Sequence, residues 1–173
     1  MGMSMGISIL DQIIRIFVAI AVGGIIGLER KRLHKAAGVR THAVITVICT
    51  MLTIVSVYGF NGFSGNIDPT RLLSNIITGV GFLAGGVIYV TTKKDNKSLE
   101  ENVVGLTTAA GIFGAAMLGI PIGLGHFDLV LITIVGIEIS LQTEKVLITA
   151  HLIKNDKIYN GLEPDKNKDE AED

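Results

Sequence analysis

Five apolar stretches, each close to the length that spans a bilayer, dominate this chain and leave it few alternatives to a bundle of membrane helices. They run approximately Ile9–Leu28, His42–Phe60, Leu72–Val90, Val103–Gly119 and Phe127–Gln142. In hydrocarbon every backbone N–H and C=O must find its partner within the structure, so stretches like these are expected as helices. A helix rises ~1.5 Å per residue, so roughly 17–20 residues reach about 25–30 Å, one hydrocarbon thickness. The fifth stretch is shorter and needs part of the segment after Gln142 to cross. The first carries Asp11 and Arg15, which leaves Ile16–Leu28 as its uncharged core.

Charge is segregated in the same way. Of 31 charged residues, 13 fall in the last 31 positions. The basic residues cluster in alternate connections. Residues 29–41 carry Arg30, Lys31, Arg32, Lys35 and Arg40; residues 91–102 carry Lys93, Lys94 and Lys97; the segment after 142 carries five lysines. The other connections, 1–8, 61–70 and 120–126, carry none. Under the positive-inside rule this predicts an external N-terminus, an internal C-terminus and five crossings. The expected fold class is an all-α membrane protein, a bundle of five transmembrane helices over residues 1–142. Residues 143–173 are expected as a short cytoplasmic tail, helical at first and disordered from Lys154, where Asn, Asp, Glu and Lys dominate. Nothing basic precedes the first stretch, so no cleavable signal is expected, and residue 6 is Gly rather than the Ser or Thr of a myristoylation site.

These patterns exclude several function classes. A net charge of −1 gives nucleic acid no electrostatic footprint. The single cysteine, Cys49, excludes an internal disulfide framework and a cysteine-based zinc cage. His34, His42, His126 and His151 are scattered and form no metal-ligand spacing. There is no His-Glu-x-x-His, no Gly-x-Ser-x-Gly and no pair of intramembrane aspartates, so no enzyme activity, catalytic residue, cofactor or metal centre is expected. Gly79-Val-Gly81-Phe82-Leu83-Ala84 matches a dinucleotide fingerprint only formally, since no strand precedes it.

Small and polar residues inside the stretches are the candidate functional positions. Gly23-x-x-x-Gly27 and Gly81-x-x-x-Gly85 place small residues on one helix face, where a second backbone approaches closely. Packing within one subunit is the plainest reading; a dimer seam or a cavity-opening helix are the alternatives. Asp11 and Arg15 are spaced to pair along one face. Glu29 and Arg40 border the same short connection and are expected to pair at the inner interface. Asp68-Pro69-Thr70-Arg71 reads as a helix start, with Asp68 as N-cap and Pro69 in the first turn. Asn75, Thr78, Thr107 and Thr108 are the polar groups that would line any route through the third and fourth stretches. Glu138 stands deep in the fifth stretch.

Three blocks resemble the MgtC/SapB family of bacterial membrane proteins. The first runs from Gly24-Ile-Ile-Gly27-Leu-Glu29-Arg30 to Lys35-Ala-Ala-Gly38-Val-Arg40-Thr41-His42. The second joins Asp68-Pro69-Thr-Arg71 to Gly79-Val-Gly81-Phe82-Leu83-Ala-Gly-Gly86, and the third is Gly105-Leu106-Thr107-Thr108-Ala109-Ala110. The family pattern commonly places Arg where Val104 stands and Lys-Pro-Ala-Gly where Lys35-Ala36-Ala37-Gly38 stands. The resemblance implies a multi-pass protein of the bacterial cytoplasmic (inner) membrane, here a short member without the family's C-terminal ACT-like domain. It implies a regulatory or accessory role in magnesium and ion homeostasis and stress adaptation. The alternative it leaves is a transporter or channel for a cation or small solute. The partners it implies are the lipid bilayer, a second copy or another membrane protein, and a cation as passenger.

Overall fold

The computed structural model describes residues 7–32, 35–60, 68–95 and 98–149. Its elements are α1 (Ile9–Arg32), α2 (Val39–Tyr58), α3 (Pro69–Gly85), α4 (Leu106–Leu124) and α5 (Phe127–Thr149), with strands β1 (Tyr89–Asp95) and β2 (Ser98–Val104) between α3 and α4. Three of the helices, α1, α2 and α4, are long and apolar enough to cross a membrane. Residues through Ile137 form one compact unit and those from Glu138 a second. Of the second unit, the described part is the end of α5, a helix that runs past Gln142 as far as Thr149. The acidic segment expected to be disordered lies outside the described residues.

Burial along each helix follows its own repeat. The core-facing positions of α1 are Ala19, Val22, Gly23, Ile26, Gly27 and Arg30, spaced three and four apart. On α2 they are His42, Ile45, Thr46, Cys49, Thr50, Thr53 and Ser56. The outward side of α2 carries Val44, Ile48, Met51 and Val55. A bilayer favours this inversion: apolar side chains face lipid, and hydroxyls turn inward where helix carbonyls accept their protons. Both α2 and α4 pack against the other three helices of the group α1 to α4. The end of α4 is set by Gly125 at φ 87°, with the Gly125 N–H on the Ile122 carbonyl and the His126 N–H on that of Pro121, a Schellman closure.

Several boundaries differ from the sequence reading: α4 runs on to Leu124, through residues expected as a connection after Gly119. The third helix stops at Gly85 rather than near Val90, and residues expected as a plain basic loop form an antiparallel hairpin, with Tyr89 opposite Val104 and Asp95 opposite Ser98. The fold is therefore helical with one hairpin, not purely α. Tyr89, Val90, Thr91, Thr92, Val103 and Val104 are β-branched or aromatic and suit strands better than a helix. The hairpin delivers the chain to α4 through Gly105 at φ 95°, where a Cβ would lie 2.1 Å from the Val87 carbonyl oxygen. Only glycine fits there.

Candidate functional site

The α1–α2–α4 interface is built from glycine on one side and hydroxyls on the other. A Cβ on Gly23 would stand 2.6 Å from the His42 carbonyl oxygen, and one on Gly27 2.5 Å from the Val39 Cα. On α4, a Cβ on Gly119 would meet the Cys49 Cβ at 2.7 Å, and one on Gly123 the Thr53 Cβ at 2.5 Å. Backbones therefore touch along both seams. Within the second seam Thr46 Oγ1 donates to the His42 carbonyl at 2.8 Å and approaches that of Ala115 at 3.0 Å. Thr53 Oγ1 donates to the Cys49 carbonyl at 2.8 Å. Thr50 Oγ1 is buried with no hydrogen-bond partner among the described residues.

At one end of this seam sits a corner of three charged or polar side chains. Arg30, in the last turn of α1, is 1% exposed, and His42, in the first turn of α2, is 0% exposed. Arg30 Nη2 donates to Thr108 Oγ1 at 2.7 Å, tying α1 to α4. His42 Nδ1 lies 2.9 Å from the Gly38 carbonyl oxygen, which can only accept, so this nitrogen carries a proton. Arg30 Nε, His42 Nε2 and Glu29 Oε2 are buried without a hydrogen-bond partner among the described residues. Both nitrogens approach one glycine: a Cβ on Gly111 would lie 3.4 Å from His42 Nε2 and 3.8 Å from Arg30 Nε.

The opposite end has its own clamp. Arg15 donates to the Gly123 carbonyl, lies 3.5 Å from the Tyr58 hydroxyl, and sits over the Tyr58 ring at 5.4 Å from its centroid. The Gly123 carbonyl lies past those that the closure at Gly125 and His126 satisfies, at the negative end of the α4 dipole, which suits a guanidinium. Asp11 is exposed, and no Asp11–Arg15 ion pair forms.

The expected site residues separate into three groups. Thr108 belongs to the buried corner, whereas its neighbour Thr107 is exposed. Glu29 and Arg40 do not form the expected ion pair. The α1 repeat turns Arg30 rather than Glu29 into the core, and Arg40 is exposed on the first turn of α2. Asp68 caps α3, accepting from the Thr70 hydroxyl at 2.6 Å and the Thr70 N–H at 2.9 Å. These bonds, with nearby Arg71, hold its carboxyl below the usual range. Arg71, Asn75 and Thr78 are exposed, and α3 buries only Ile76, Val80 and Ala84. Thr78 Oγ1 returns to the Ser74 carbonyl at 3.0 Å. The polar side chains of α3 are therefore not buried between it and its neighbours. Asn75 instead borders a groove of about 390 Å³ between α2 and α3, otherwise walled by apolar residues such as Ile45, Leu52 and Leu83.

The two glycine pairs also part company. Gly23 and Gly27 make the α1–α2 contact, whereas added Cβ atoms on Gly81 and Gly85 meet nothing within 4 Å. Arg30, His42 and Thr46 were not singled out by their types. Their spacing held the signal, since positions 42, 46, 50 and 53 form one stripe on α2 and Arg30 continues the 19, 22, 23, 26, 27 repeat of α1.

Residues 16–149 match the MgtC family. Among curated proteins the chain is 38% identical over 145 residues to YhiD of Escherichia coli (strain K12), whose name describes a candidate magnesium transporter. That match covers 82% of this chain and 61% of the relative. It is 41% identical over 126 residues to an uncharacterized protein of Haemophilus influenzae, 69% of this chain and 50% of that one. It is also 38% identical over 136 residues to Protein SapB of Bacillus subtilis (strain 168), 76% of this chain and 56% of that one. The chain thus spans about half to three fifths of the length of these relatives. No solved structure matches it.

Proposed function

The chain belongs to the MgtC family, and from that premise we propose that it is a regulatory or accessory protein of magnesium and ion homeostasis in the bacterial cytoplasmic membrane. In this reading it crosses the bilayer five times, N-terminus outside and C-terminus inside, and acts by helix contact with another membrane protein. The observation that carries the reading is the make-up of the polar seam. Its hydroxyls at Thr46 and Thr53 are engaged with helix carbonyls, and its inner end is occupied by the buried cation Arg30. A divalent cation entering there meets a like charge in a low-dielectric setting, and magnesium, which sheds water reluctantly, prefers carboxylates. The outward face of α3, with Gly81, Gly85 and the 87% exposed Phe82, supplies the surface for contact.

The second reading is transport, favoured by the name of the Escherichia coli relative. Asn75 beside the α2–α3 groove is the amide it would use. Reconstitution of the purified protein in liposomes with a panel of cations separates the two. The regulatory reading expects no selective magnesium flux, and a loss of in vivo phenotype in Gly85→Leu with Asn75→Leu tolerated. Selective magnesium flux that disappears in Asn75→Leu would reverse it.

A further inference from the structure

The geometry points to a binding site for one water molecule at the Arg30–His42–Gly111 corner, bridging Arg30 Nε to His42 Nε2 and so tying α1, α2 and α4 together. The two nitrogens are chemically matched to such a ligand. Arg30 Nε–H can only donate. His42 has its proton on Nδ1, facing the Gly38 carbonyl at 2.9 Å, so in the neutral ring Nε2 can only accept. A water molecule accepts from the first and donates to the second. Both nitrogens lie within 4 Å of the position a Gly111 Cβ would take, so the missing methyl group of Gly111 leaves space beside both. Arg30 and His42 are 1% and 0% exposed, and neither nitrogen has another hydrogen-bond partner among the described residues. Buried polar groups are rarely left so, and bridging water is the usual remedy where the site is polar and has room for one molecule. A small anion fits less well, because the lone pair of neutral Nε2 would face it.

Gly111→Ala tests this, because the two accounts give opposite signs. Its nearest neighbours would stand at 3.4–3.9 Å, ordinary contact distances, so packing alone tolerates the new methyl group. Alanine also favours the helix over glycine. If the corner is dry, Gly111→Ala should raise the unfolding midpoint of the full chain in detergent as much as Gly24→Ala does. Gly24 likewise has nothing within 4 Å of an added Cβ. If the methyl group displaces a bridging water, the midpoint should instead fall by roughly 2–4 °C or more. A second measurement stands apart from stability. In histidine-labelled protein the nitrogen-15 signal of His42 Nε2 should have the shift of a hydrogen-bonded acceptor, and should move toward that of a bare nitrogen in Gly111→Ala. A rise in midpoint matching Gly24→Ala, or a bare-nitrogen signal in the wild type, would overturn the assignment.

Discussion

Thr107 and Thr108 are adjacent and chemically identical, yet the structure assigns them opposite consequences. Thr108→Val keeps the shape of the side chain and removes the oxygen that accepts from Arg30 Nη2 at 2.7 Å. Arg30 is almost fully buried, so water cannot easily replace the lost acceptor. Leaving a buried donor unmatched costs roughly 1–3 kcal/mol, toward the upper end for a charged group. A loss of about 2–3 kcal/mol lowers Tm by roughly 4–12 °C in a chain of this size. Thr107 is exposed, and Thr107→Val should leave Tm within about 1–2 °C, as surface changes generally do. Cys49 supplies the assay. It is the chain's one cysteine and is 2% exposed, so a thiol-reactive fluorophore reports unfolding without further engineering. Thr108→Ser, which restores an oxygen, should recover most of the loss. Equal midpoints for the two valine variants would show that the Arg30–Thr108 bond does not hold α1 to α4.

Gly23→Ala, forced against the His42 carbonyl at 2.6 Å, should destabilise by about 1–3 kcal/mol through overpacking, while Gly81→Ala, with open space around it, should be neutral or mildly stabilising in the same melting assay. Arg15→Gln should lower Tm by loosening the start of α1 from the end of α4, and Asp11→Asn should not, since Arg15 binds the Gly123 carbonyl rather than Asp11. Asp68→Ala should reduce stability at neutral pH. Because the folded carboxyl titrates below its unfolded value of about 3.9, the difference from wild type should shrink as pH falls below about 4; a pH-independent gap would mean the cap acts without its charge. Cysteines introduced at Gly62 and Asn96 should label from opposite sides of the membrane, and labelling of both from one side would remove the five-crossing arrangement.

The sequence made the five helices legible because long apolar stretches are a coarse signal that survives small errors of boundary. It was less informative where a short segment had to choose. Residues 89–104 read as the end of one helix, a loop and the start of another, because the apolar content of Tyr89, Val90, Val103 and Val104 does not distinguish strand from span. The β-branched residues and Gly105 decide it, and their effect depends on pairing across the hairpin. The Glu29–Arg40 expectation failed for a similar reason. Two residues flanking one loop are close in sequence, but the rotation of α1 selects which of Glu29 and Arg30 faces inward, and Gly23 and Gly27 set that rotation through their contacts with α2. Asp11 and Arg15 were correctly spaced to pair, yet spacing says nothing of competitors, and the Gly123 carbonyl at the end of α4 is a better match for Arg15.

The buried stripe on α2 bears on the choice between conduit and contact. A conduit needs polar groups whose lone pairs remain available to a passenger, held apart by a gap that stays wet. Along α2 and α4 the gap is missing: Gly119 and Gly123 bring the backbones into contact, and the His42 and Cys49 carbonyls already accept from the Thr46 and Thr53 hydroxyls. Opening a path there would require separating helices whose closest approach depends on glycine at each turn, and would leave the hydroxyls and carbonyls to be solvated anew. On α3 the balance is reversed. It buries only Ile76, Val80 and Ala84, and Gly81, Gly85 and Phe82 remain uncovered. Sliding or detaching α3 therefore disturbs few contacts, whereas moving α2 against α4 disturbs many. If any element of this unit changes its neighbours when the protein acts, the packing singles out α3, and a helix docking on Gly81 and Gly85 would meet the part of the bundle least committed to its own core.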